Sequence, residues 1–329
     1  MNEERFLVTG ALGCIGAWTV RNLAREGTPT GTLDLSQKKH RLQLLLSEEE
    51  IARVKFMQGD ITKLDDVEKA FQEFQPTHII HLAALQLPFC KANPPLGALV
   101  NVVGTVNMFE AVKHAGLKSI VFASTTAVYG IADEYGSGKL EHDALLKPRS
   151  HYGVYKQANE GTARVYWLED GISSIGLRPY TVYGAGRDQG MTSTPTKAML
   201  AAALGRPYRI TYSSRCAFQY GDDMAKVFIM AARASFKGTE VFNVGGDSVS
   251  VPEIITAIES VAPEMRGKLT YDDVPLPFPE DVDNRALTAV VGLLPNTDLL
   301  DGVRETIEIF KQALKDGRMT VEDAEAILK

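Results

Sequence analysis

Hydrophobic and polar positions along this chain switch between two periods. Short apolar runs at residues 5–9, 31–33, 54–57, 77–82, 119–123 and 172–177 read as buried strands. Between them, apolar residues recur at helical spacing over 17–26 and over 63–73, where Leu64, Val67, Ala70 and Phe71 share one face. The same spacing runs over 94–114, broken only at Gly97 and Gly104, and from a Ser150 cap to about residue 169. Strands alternating with helices predict right-handed crossovers and an α/β fold: a doubly wound parallel sheet covered on both faces, with ligands at the carboxyl ends of its strands. Residues 37–50 are richly charged and read as one solvated helix with Leu42, Leu45 and Leu46 facing inward, and residues 130–149 read as a loop closed by Pro148.

Past Arg178 the alternation weakens. Helices are expected at 194–204, 222–234, 252–261, 284–290, 299–315 and 320–328, and a strand at 241–244; Pro275, Pro277 and Pro279 mark an irregular crossing. The expected division is residues 1–177 as a cofactor domain, also taking segments near 222–246, and residues 178–329 as a smaller C-terminal α/β substrate lobe.

The turn after the first strand carries three glycines. Gly10 permits a sharp reversal, Gly13 lets a ligand's phosphates approach the backbone, and Gly16 lets the following helix pack close to the sheet. The helix, beginning near Ile15, offers a pyrophosphate its free amides and the positive end of its dipole. About twenty residues further on, the second strand ends in Asp34, at the spacing of a Rossmann-type dinucleotide site. A carboxylate there accepts the ribose hydroxyls and repels a 2′-phosphate, which favours NAD over NADP; Lys38, Lys39 and Arg41 are the charges that soften the preference.

Composition narrows the class. A chain of 329 residues, 45% hydrophobic and 23% charged, has the make-up of a globular enzyme, and a net charge of −6 without basic clusters argues against nucleic acid or an anionic membrane as partner. No run of about eighteen consecutive apolar residues occurs, and the opening Met-Asn-Glu-Glu-Arg lacks an apolar leader, so a cytoplasmic location is expected. Cys14, Cys90 and Cys216 are too far apart for metal-ligand spacing and read as free thiols, and the six histidines form no ligand or triad pattern.

Two further clusters carry chemistry. Tyr152 and Lys156 stand one turn apart on one helical face, so a nearby ammonium favours phenolate and makes Tyr152 a candidate base. Ser124-Thr125-Thr126 places hydroxyls just past the fifth strand, where one of them holds a substrate oxygen.

In this order, the motifs resemble those of the extended short-chain dehydrogenase/reductases, the group of nucleotide-sugar epimerases and dehydratases. The resemblance runs through Thr9-Gly-Ala-Leu-Gly-Cys-Ile-Gly16, Asp34, Gly59-Asp60-Ile61, His81-Leu-Ala-Ala84, Asn101-Val-Val-Gly-Thr105, Ser124-Thr-Thr-Ala-Val-Tyr-Gly130, Tyr152 to Lys156 and Leu177-Arg-Pro-Tyr-Thr-Val-Tyr-Gly184. It implies Thr125, Tyr152 and Lys156 as catalytic residues. It implies Gly10, Gly13, Cys14, Ile15, Gly16, Asp34, Asp60, Ile61, Ala83, Asn101, Tyr152, Lys156 and Tyr180 as NAD contacts, and a homodimer built on two helices, near 94–114 and 152–169.

Departures from the family pattern bear on substrate. Thr126 and Ala127 stand where family dehydratases have Asp-Glu, which argues against a dehydratase. Thr181 and Cys216 stand where nucleotide-sugar epimerases have the Asn and Arg that contact a diphosphate; Arg215 is one place early, and Arg187 or Arg215 are the substitutes available. The expected function is an NAD-dependent oxidoreductase acting on a secondary hydroxyl of a sugar or sugar-acid-like substrate. The alternative is an NAD-dependent nucleotide-sugar epimerase of the UDP-glucose 4-epimerase type, and a third reading is a regulatory protein that binds NAD without catalysis.

Overall fold

Seven parallel strands form the central sheet of the computed structural model, which describes residues 3–136 and 138–329. Their spatial order is Thr239–Asn243, Ser173–Arg178, Ser119–Ala123, His78–His81, Phe6–Thr9, Thr30–Asp34, Lys55–Gln58. The winding reverses beside Phe6–Thr9, where Thr9 is in register with Leu33 on one side and His81 on the other. That reversal opens a crevice at the carboxyl ends of these strands, the place where open sheets of this kind bind ligands.

Successive side chains of a strand enter opposite layers. Phe6 and Val8 pack with Trp18 of the helix Cys14–Arg25, whereas Leu7 packs with Val67 and Phe71 of the helix Leu64–Phe74. Both faces are covered, which is why Phe6–Thr9 and Ser173–Arg178 are buried at every position. The helix Gly221–Arg233 lies beside Cys14–Arg25, so the second half of the chain supplies both a sheet strand and a covering helix.

Four details differ from the sequence reading. Residues 37–50 form two helices, His40–Leu45 and Glu48–Ala52, because Ser47 starts a new one: its hydroxyl accepts from Glu50 N at 3.2 Å while Glu50 accepts from Ser47 N at 2.8 Å. Leu42, Leu45 and Leu46 are buried as expected, and Leu44 joins them. Pro94–His114 is helical throughout, with a π-helical stretch Leu99–Val103; Gly97 and Gly104 do not break it but make room for Cys90 and Ile61. By length and composition it is apolar enough to cross a membrane, yet it packs along the helix His151–Asp170.

The second half also holds strands too short for a periodic signal: Thr181–Tyr183, Cys216–Tyr220 and Asp247–Val249 in one small sheet, Tyr208–Ile210 and Leu269–Tyr271 in another. Within the expected loop at 130–149, Leu140 bridges to Val282; Ser137 of that loop, and Met1 and Asn2 at the start, lie outside the described residues.

Candidate active site

A cleft of about 640 Å³ opens at the reversal point, and every site residue selected from the sequence borders it except Asn101. Gly10 adopts φ +66°, and a Cβ there would lie 2.6 Å from Ala83 N, so only glycine lets the first strand turn beside the fourth. A Cβ on Gly16 would lie 2.2 Å from the Gly10 carbonyl oxygen, and one on Gly13 would lie 3.1 Å from the same atom. Gly13 caps the helix without any side-chain bond, so the first amides stay free toward the cleft. A turn this bare, ending in open amides, fits a dinucleotide's pyrophosphate.

Asp34 accepts from Leu12 N at 3.1 Å and from Ser36 N at 3.2 Å, which fixes its carboxylate at the rim. Burial raises its pKa and the backbone bonds oppose that rise. Of the nearby cations, Lys39 lies over the Phe56 ring, Arg41 bonds to Asp188 and the Leu12 carbonyl while its charge draws Asp34 down, and Lys38 borders the cleft. Asp60 accepts from Thr62 N at 2.9 Å, and Ile61 offers its carbonyl to Asn107. Asn101 sits behind the wall: its amide oxygen accepts from Leu85 N and its amide nitrogen donates to Leu85 O, so it holds a lining segment rather than facing the cleft.

Ser150 caps the helix His151–Asp170 through Gly153 N at 3.1 Å and thereby orients its first turn, where Tyr152 enters the cleft. Thr125 borders the cleft together with Tyr152, and its hydroxyl accepts from Ala127 N at 3.1 Å. Burial pushes the Tyr152 phenol up, and the Thr125 hydroxyl and the Arg187 charge draw it back. Lys156 donates to the Ala123 carbonyl at 2.7 Å, and burial lowers its ammonium to about 8. Arg187, on the loop after Thr181–Tyr183, thus bears on Tyr152, and the Lys156 ammonium is anchored at the end of the fifth strand. Burial pushes His81 down to about 3, leaving a neutral ring between Thr9 and Thr105, and pushes the Cys14 thiol up to about 11; neither is poised for proton transfer near neutrality.

Sequence reasoning missed the support behind these groups. Ser124 donates to Glu160 at 2.5 Å, and Glu160 is gripped by Arg178 at 2.9 and 2.6 Å, which spends the Ser124 hydroxyl and leaves that of Thr125 beside Tyr152. The available signal was Glu160 one turn beyond Lys156. At the expected diphosphate positions, Thr181 and Cys216 are fully buried, and Arg215 bonds to the Ser248 carbonyl and to Glu253.

The model of the NAD dependent epimerase/dehydratase family matches residues 6–245. The chain is 30% identical to a UDP-glucose 4-epimerase of Mycolicibacterium smegmatis, over 93% of this chain and 98% of that protein. It is 29% identical to UDP-glucuronate 4-epimerase 2 of Arabidopsis thaliana, over 96% and 78%. Among solved structures, the Thermus thermophilus UDP-glucose 4-epimerase in complex with NAD superposes with a TM-score of 0.79 at 28% identity, covering 94% of this chain and 99% of that one. The match takes in both the glycine turn and the helix of Tyr152: the chain belongs to the NAD dependent epimerase/dehydratase family and is an enzyme with NAD as its cofactor.

Proposed function

We propose that this enzyme oxidises a secondary hydroxyl of a sugar-like substrate, with Tyr152 as base. Tyr152 takes the hydroxyl proton, Thr125 holds the same oxygen, and Arg187 favours the phenolate. Lys156 keeps two N–H groups free beyond its bond to Ala123 O and is assigned to orient the cofactor. The glycine turn and Asp34 would hold NAD, which when bound would supply the acceptor for the hydride leaving the carbinol carbon. The observation that carries this reading is the convergence of Thr125, Tyr152 and Lys156 on one cleft headed by the glycine turn.

The relatives' names support epimerisation as the overall reaction, with the ketone retained, turned and returned to the alcohol of opposite configuration. Net oxidation with release of the ketone is the second reading, and it rests on the buried Thr181 and Cys216 at the diphosphate positions. Incubation with candidate sugars separates the two: accumulation of reduced nicotinamide marks a dehydrogenase, and an isomerised product without it marks an epimerase. A chain that does neither with any sugar or sugar acid is not this enzyme.

Residues 178–329 are assigned as the substrate lobe over a cofactor domain of 1–177 that borrows Thr239–Asn243. Exposed Leu96, Leu99 and Val103 on one helix and Val154, Val165 and Leu168 on another support a homodimer through those helices. Three free cysteines support a reducing, cytoplasmic setting.

A further inference from the structure

The substrate end of the cleft holds an unspent cation. Arg187 borders the cleft near Tyr152 and, among the described residues, has no carboxylate partner; its one side-chain bond is to the Thr192 hydroxyl at 3.2 Å, and its buried Nε is unpartnered. The adjacent Asp188 is taken by Arg41 at 2.7 Å and His40 at 3.3 Å. Gly190, at φ +97°, lets two side chains converge: a Cβ there would lie 2.3 Å from Gln86 Oε1 and 3.2 Å from Arg187 Nη2. Gln86, Arg187 and Thr192 therefore form a polar group on the same cleft as Thr125 and Tyr152. The remaining carboxylates on the cleft, Asp34 and Asp60, follow the second and third strands, away from this end.

The same end lacks the side chains expected to hold a nucleotide diphosphate, since Thr181 and Cys216 stand at those positions and are buried. Among the described residues, 193–277 contribute nothing to the cleft wall. Tyr180 stands edge-on to Phe278 at 6.3 Å and donates its hydroxyl to Pro279 O. Arg215, the nearest match to a diphosphate-binding arginine, is occupied by Ser248 and Glu253.

We infer that the substrate is a small polyhydroxylated carboxylic acid without a nucleotide, its carboxylate held by Arg187 with Gln86 and Thr192 while its secondary hydroxyl meets Thr125 and Tyr152. A planar guanidinium whose Nη2 is held beside Gln86 and Thr192 and which has no carboxylate partner among the described residues suits the two oxygens of a carboxylate. The inference rests on the oxidation step proposed above.

The experiment titrates the NAD-loaded full chain with gluconate, glucuronate, glucose, glucose 1-phosphate, UDP and UDP-glucose, following heat of binding and nicotinamide absorbance. The acids are expected to bind and turn over, and UDP is expected not to bind. Arg187→Gln should raise KM for the acids on the order of a hundredfold with NAD affinity and melting temperature unchanged, and Arg187→Lys should recover part of the loss. Tighter binding of UDP, UDP-glucose or the sugar phosphate than of either acid overturns the inference, as does an unchanged KM in Arg187→Gln or the absence of any acid binding. Turnover of UDP-glucose that depends on Tyr152 would overturn it while leaving the oxidation step intact; wild-type turnover by Tyr152→Phe would remove that step itself.

Discussion

Arg41 grips Asp188 through Nε at 3.1 Å and Nη2 at 2.7 Å, while its Nη1 donates to the Leu12 carbonyl of the glycine turn at 2.7 Å. One guanidinium so ties the segment after the second strand to the loop that carries Arg187, across the rim of the cofactor cleft. Asp188→Ala breaks that tie. NAD affinity, measured by calorimetry, should fall by roughly tenfold as one charge-assisted contact is lost. The freed Arg41 should also narrow the preference for NAD over NADP, because a cation near Asp34 attracts a 2′-phosphate. An unchanged NAD/NADP ratio would show that Asp34 alone sets the preference.

Tyr152→Phe deletes only the phenol oxygen beside Thr125. Turnover should fall about 10²- to 10⁴-fold, the ordinary contribution of a general base, with NAD binding intact. Steady-state rates and NAD titration on the same preparation check both halves.

The pH dependence follows from the direction in which Tyr152 is displaced. Oxidation needs the phenolate, and burial holds the phenol protonated above its usual range. The rate of hydroxyl oxidation should therefore climb through the alkaline range, whereas reduction of the ketone, which needs the phenol, should not. A pH profile run in both directions tests this.

Lys156 titrates at about 8 when buried in the fold and near its ordinary value in the unfolded chain. The unfolded chain thus binds more protons between these values, and stability attributable to this group rises with pH across that window. In urea titrations at several pH values, the wild type should gain stability relative to Lys156→Met as the pH passes from 8 toward 10.

Glu160 and Arg178 are both nearly solvent-free, at 8% and 5% exposed side chain. Glu160→Gln leaves a guanidinium buried without its counter-charge and should cost about 3–5 kcal/mol in equilibrium unfolding. A smaller loss would mean that Tyr129 and the His142 carbonyl suffice to hold Arg178.

The cofactor half was legible because its signals are local. Gly10, Gly13 and Gly16 are required by contacts within a few residues or with the adjacent strand, and Asp34 by a strand end, so spacing along the chain reported geometry in space. Tyr152, Thr125 and Lys156 were selected on the same ground and border one cleft, whereas Arg187, which bears on Tyr152, comes from a loop thirty-five positions on. Periodicity carries no information about such a meeting. The short strands after Thr181 were missed for a related reason: three to five residues are too few for alternation to register, and they are strands only because partners elsewhere supply the hydrogen bonds. Asn101 shows the converse, a motif residue whose position in the chain was recognised but whose side chain serves Leu85.

The strand Thr239–Asn243 lies parallel to Ser173–Arg178 along its full length. During synthesis, the ribosome must therefore deliver more than sixty residues after Arg178 before that strand's outer edge is covered, and until then a row of unpaired backbone groups flanked by apolar side chains stands exposed to other chains. Nascent or truncated forms ending anywhere between these strands should be the aggregation-prone species of this protein, and its yield in a cell should depend on how quickly translation crosses that interval.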